Sequence, residues 1–159
     1  MKFFIVFLCF ATVTALYDHG PAERFWDLLK GLQGEKLQQV KEIVYDPDLT
    51  KRQTLEMMDD WVENQSPQIQ ALYKQSMDNF EQRDHARNAQ LDRKAEHLSV
   101  AGRELEAEIR AIYDNLDLTD RHTCESVAEV VSMSAHVLQK ELGISPPPCD
   151  EVFKTLHKH

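Results

Sequence analysis

Four aspartates in two short segments are the residues best placed to do chemistry. Asp46 and Asp48 flank a proline in Tyr45-Asp46-Pro47-Asp48-Leu49-Thr50, and Asp114 and Asp117 recur in Tyr113-Asp114-Asn115-Leu116-Asp117-Leu118-Thr119. Carboxylates and hydroxyls spaced along a turn are the oxygen donors that a hard cation takes. Ca2+ or Mg2+ at Asp46, Asp48, Asp114 and Asp117 is therefore one expectation. A full calcium loop also needs glycine at its sixth position and a bidentate glutamate at its twelfth. Counted from Asp46, those positions hold Lys51 and Met57. Counted from Asp114, the twelfth is Glu125, but the third and fifth are Leu116 and Leu118. Neither loop carries the full set. The competing expectation is that these aspartates and threonines cap helices and answer their dipoles.

The cysteines are the second candidate chemistry. Residues 1–15 read as a secretory signal peptide: Lys2 is the positive start, Phe3 to Phe10 an unbroken apolar run, and Val13 and Ala15 the small residues of a cleavage site. The run is too short to span a bilayer, which takes about 20 apolar residues, so stable membrane insertion is not expected. Cleavage removes Cys9 and leaves Cys124 and Cys149, most simply one disulfide in an exported chain. Two free thiols or an intermolecular bridge is the alternative. The whole chain of 159 residues carries a formal charge of −9, which argues against nucleic acid as a partner. No nucleophile elbow, phosphate-cradling glycine loop or paired metal-binding cysteine motif is present, and the histidines form no ligand set, so an enzyme is not expected. Asn64-Gln65-Ser66 has the form of a glycosylation sequon, but Pro67 directly after it makes it a poor acceptor.

The elements that must hold these residues are helices throughout. Leu, Glu, Gln, Lys, Arg and Ala dominate, and strand-like alternation is absent. The expected fold is an all-α helical bundle of about five to six helices, with two related helix–loop–helix units and one long central helix. A short helix follows Pro21, a second spans about Glu35 to Tyr45, and a third follows Thr50, where Thr50 and Gln53 fit a capping box. Ser66-Pro67 starts the long helix, which reaches about Leu98 with a nearly all-polar stretch at 81–90 that either crosses solvent or hides a kink. Ser99 caps a fifth helix, and a sixth runs from about Thr119 to Leu142 before Gly143. Ser145-Pro146-Pro147-Pro148 then leads to Cys149 and a tail helix with Val152, Phe153 and Leu156. The chain thus divides into a signal peptide at 1–15, a single helical domain at 16–144, and a tail at 145–159 tethered by the disulfide.

The two acidic segments are related. Allowing a small gap, both read Tyr-Asp, a turn, Asp-Leu-Thr, one residue, Arg, one residue, Thr, and both join two predicted helices. The Asp48-Leu49-Thr50-Lys51 loop before a helix with Trp61, the His97-Leu98-Ser99 junction, the Ile109/Ile112 helix and the second Asp-Leu-Thr loop together resemble the SXP/RAL family of secreted nematode proteins. That family's domain is described as cation-binding and is similar to Anisakis allergens. The resemblance covers roughly Phe25 to Leu142 and implies an all-helical fold, secretion and host-facing, immunogenic behaviour. The expected function is a secreted non-enzymatic protein that binds an extracellular protein partner and binds divalent cations weakly. The alternative is an extracellular carrier of a lipid or small apolar ligand.

Overall fold

The structure is a computed structural model, described over residues 23–150. The signal peptide expected at 1–15 and the tail helix expected around Val152 both lie outside the described residues. Among the described residues seven helices follow one another: α1 (Trp26–Gly31), α2 (Gly34–Val44), α3 (Lys51–Glu63), α4 (Pro67–Ala95), α5 (Val100–Asp114), α6 (Asp120–Met133) and α7 (His136–Leu142). The fold is all-α, with α4 as the long central helix.

The helix starts follow local chemistry. Thr50 and Gln53 form the capping box in both directions, with Gln53 N donating to Thr50 Oγ1 at 3.2 Å and Thr50 N to Gln53 Oε1 at 2.8 Å. Ser99 and Thr119 cap α5 and α6 by accepting from the amides of Gly102 and His122. The start of α1 is different, because Phe25 stands at its N-cap position and has no acceptor to offer. Ser76, fully buried on α4, takes over that duty. Its Oγ accepts from Leu28 N at 3.4 Å and donates to Arg24 O at 3.0 Å. Ser76→Ala should strand both groups in the core and cost about 1–3 kcal/mol in urea unfolding.

The predicted sixth helix is two helices. It breaks at Ser134 and Ala135, both with extended backbone. No proline or glycine marks the break; side chains hold it. Ser134 Oγ donates to Val131 O at 2.7 Å, and Gln139 Nε2 donates to Val131 O at 2.8 Å and Ser134 O at 3.1 Å. These bonds answer carbonyls that a helix end leaves open. The α3–α4 junction uses the same device, with Gln70 Nε2 donating to Val62 O at 3.3 Å and Gln65 O at 3.2 Å. Ser66 stands at the N-cap of α4 as expected, with Pro67 behind it, but its hydroxyl makes no capping bond.

The polar stretch 81–90 is continuous helix within α4. It carries few apolar groups because it receives the charged start of the described chain. Arg87, only a tenth exposed, pairs with Glu23, and Arg83 donates to Glu23 O at 3.1 Å. Above and below this stretch lie two cores. One gathers Phe25, Leu28, Val40, Val44, Met58, Val62 and Tyr73; the other gathers Leu91, Leu105, Ile109, Val127, Val131 and Leu142.

The two cores are built by one repeated pattern. The buried residues Val40, Thr54, Met58, Val62 and Tyr73 have counterparts in Ile109, Thr123, Val127, Val131 and Leu142, each sixty-nine positions later. Thr50 matches Thr119 and Gln70 matches Gln139 in the same register. The repeat therefore needs no gap, which corrects the alignment of Tyr45-Asp46 with Tyr113-Asp114. Asp46 corresponds instead to Asn115. Their side chains do the same thing, Asp46 Oδ1 accepting from Asp48 N at 2.9 Å and Asn115 Oδ1 from Asp117 N at 3.0 Å. Helices α1–α3 with the first half of α4 form one unit; the second half of α4 with α5–α7 forms the other.

Candidate functional site

The repeated loops, residues 45–50 and 115–119, meet each other. Thr50 and Thr119 form an isolated antiparallel bridge. Lys51 N donates to Leu118 O at 3.1 Å and Arg52 N to Leu116 O at 2.9 Å. These are first-turn amides that a helix cannot satisfy internally, so the opposite loop's carbonyls complete the start of α3. Side chains reinforce the seam: Arg52 Nε bonds Asp117 Oδ1 at 2.8 Å, and Lys51 Nζ donates to Tyr113 O at 2.7 Å. The bond and charge of Arg52 hold the Asp117 carboxyl below its ordinary range.

The four loop aspartates do not converge. Asp46 closes its own turn on Asp48, Asp48 is exposed, and Asp117 is paired with Arg52. Asp114, the last residue of α5, lines a cavity behind the seam. Among the described residues, no three His, Cys, Asp or Glu side chains are grouped to hold a metal ion. The connections are also short for a calcium loop, whose ligands run over twelve residues.

The cavity holds about 200 Å³ and sits where the two units meet. Arg24 and Phe25 from the start of α1, Lys51 and Leu55 from α3, Phe80 and Asp84 from α4, and Tyr113, Leu116 and Asp120 from the second unit line it. The Arg24 guanidinium lies 4.4 Å from the centre of the Phe80 ring, a cation–π contact. Burial lowers the pKa of Arg24 and Lys51 and raises that of Asp120, against the opposing pull of the Lys51 and Arg24 charges. Lys51 and Asp120 are counterparts in the repeat, each the first residue of its helix. Opposite charges at equivalent positions were the one sequence signal for this cavity. Arg24 and Asp84 gave none, because each takes its place only when α4 packs on α1.

The raised pKa of Asp120 has a definite sign for stability. The folded protein keeps this proton to higher pH than the unfolded chain, so ionisation of Asp120 opposes folding. That cost is absent well below the ordinary value of 3.8, grows as pH rises through the folded value, and is constant above it. Asp120→Asn should raise the melting temperature at pH 7, with the gain closing as pH falls through the carboxylate range. A lower melting temperature at pH 7 would contradict the burial argument.

Cys124, in the first turns of α6, is bonded to Cys149, with Cα atoms 5.8 Å apart and 25 positions between them in sequence. The expected pairing is therefore the one formed, and it draws the segment after α7 back against the second unit.

A family model matches residues 1–144, described as the SXP/RAL-2 family protein Ani s 5-like, metal-binding domain. The chain belongs to the SXP/RAL-2 family. No curated protein and no solved structure matches it. The SXP/RAL-2 description carries a metal, so the donor geometry is a test of fit. In this SXP/RAL-2 chain Asp46 closes a turn, Asp117 forms an ion pair, Asp114 lines a cavity and Asp48 is exposed, and these described carboxylates do not compose a metal centre.

Proposed function

We propose that this SXP/RAL-2 protein is a secreted, non-catalytic binding protein whose partner is another extracellular protein, in the host-facing, antigenic role that the family resemblance implies. The observation that carries the reading is three exposed apolar side chains on the second unit. Met133, Val137 and Val100 are 81%, 69% and 65% exposed. Single exposed apolar side chains are ordinary, but a group of them marks an interaction surface. Ser99 Oγ donates to Glu141 Oε2 at 2.8 Å, which joins the start of α5, where Val100 follows, to the face of α7 that carries Val137 one turn earlier. Met133 ends α6 directly before that turn.

Secretion is supported by the signal-peptide pattern at 1–15, by the disulfide, and by the family. No helix among the described residues is long and apolar enough to cross a membrane. Ca2+ or Mg2+ binding at the loop aspartates is invited by the family description, but the proposal does not draw on it. The alternative of a lipid carrier gains no support from the seam cavity, which is small and rimmed with charge.

A photo-reactive residue at position 137 tests the reading, with the same residue at Gln68 on the exposed first turn of α4 as the control. In extracellular fluid of the source, position 137 should give a discrete adduct that position 68 does not. The same weak smear from both positions, or no adduct from either, overturns the proposal.

A further inference from the structure

The seam cavity carries two charges of each sign that the described fold leaves with bonding capacity. The Arg24 guanidinium rests on Phe80 and makes no hydrogen bond or ion pair among the described residues. Lys51 Nζ spends one of its three donors on Tyr113 O. The carboxylates of Asp114 and Asp120 share the lining, within reach of the Lys51 charge, and likewise accept no hydrogen bond among the described residues. Asp84, the remaining charged group of the wall, is already engaged by Arg87 and Asn88. Arg24, Lys51 and Asp120 are half-buried and Asp114 is exposed, so partly desolvated charges of both signs border one space, and a ligand that bonds to both signs gains more there than in open water.

We infer that this cavity binds a small zwitterion, an α-amino acid with a short apolar side chain, its carboxylate against Arg24 and Lys51 and its ammonium against Asp120 and Asp114. A simple anion would meet the two free carboxylates, and a simple cation would meet the guanidinium and the amine. Only a molecule with both charges a few ångströms apart satisfies each wall. Phe80 and Leu116 supply the apolar surface for its side chain. The size agrees: about 200 Å³ corresponds to roughly six or seven water volumes, room for an amino acid of about the size of valine and too little for a long acyl chain. Partial burial of Arg24, Lys51 and Asp120 strengthens their charge contacts over the value in water. This reading stands on the cavity alone and does not depend on the exposed apolar side chains of the second unit.

The test is a nuclear magnetic resonance titration of the mature protein with L-valine, following the amides of Lys51, Tyr113 and Leu116. Isovalerate, which lacks the ammonium, and isobutylamine, which lacks the carboxylate, are titrated in parallel. Saturable shifts at these amides with L-valine, and binding at least about tenfold weaker for both analogues, are expected. Arg24→Gln and Asp120→Asn should each weaken L-valine about tenfold while the rest of the spectrum is retained. Because the analogue series uses the unaltered protein, it decides the matter even if a variant misfolds. Flat amides across the millimolar range with L-valine, or either analogue binding as tightly as L-valine, overturns the inference.

Discussion

Phe25→Ala should lower the unfolding free energy by about 3–5 kcal/mol, the cost of emptying a large aromatic site in a packed core. Phe25 is the residue just before α1 and is 1% exposed. Its ring stacks on Tyr73 with centroids 6.2 Å apart, and its other surroundings are the α1, α2 and α3 residues of the first core. The site cannot collapse easily, because Tyr73 is itself fixed by a 2.6 Å bond from its hydroxyl to Asp59 Oδ1. The neighbouring Trp26→Ala is the control. Trp26 is half exposed and leans on Lys30 rather than on the core, so its loss should cost about 1 kcal/mol or less. Urea unfolding of the two variants compares them directly, and equal losses would mean that the first core is not organised around Phe25.

The second large effect is loss of the disulfide. Cys124→Ser with Cys149→Ser should cost about 3 kcal/mol, from the chain entropy released to the unfolded state by opening a loop of 25 residues. For a chain of this size that corresponds to a fall of about 6–12 °C in melting temperature. The stiff Ser145-Pro146-Pro147-Pro148 segment then has no covalent tie to α6, so the loss falls on the second unit. Calorimetry of oxidised protein and of protein reduced and alkylated measures it. An unchanged transition after alkylation would show that the segment is held by packing alone.

Legibility in the sequence followed how local each cause is. Helix starts at Thr50, Ser99 and Thr119 were readable because a cap lies within three residues of the amide it satisfies. The pairing of Cys124 with Cys149 was readable because Cys9 falls within the expected signal peptide, which leaves two cysteines to pair. The break at Ser134 was hidden, since it depends on Gln139 reaching back eight positions to Val131, a signal visible only beside Gln70 and Val62 in the first unit. The polar run at 81–90 could not be placed from pattern alone, because its partners Glu23 and Asp27 come from the far end of the chain. The candidate site was the least legible part. Its aspartates were visible as charges near turns, but their uses, a turn on Asp48, a bond from Arg52 and a wall beside Lys51, arise from the contact of two loops.

That contact is central: two repeated units share α4, dock loop to loop, and line a charged, half-open cavity at the seam. Native-state hydrogen exchange of the Lys51 and Arg52 amides tests it most directly. Both donate across the seam, to Leu118 O and Leu116 O, and to no carbonyl of their own helix. If the units dock as one body, both amides exchange only through an opening as costly as that of core amides such as Met58 and Val127. Exchange at the rate of an open helix end, with the two cores unfolding separately, would contradict the account.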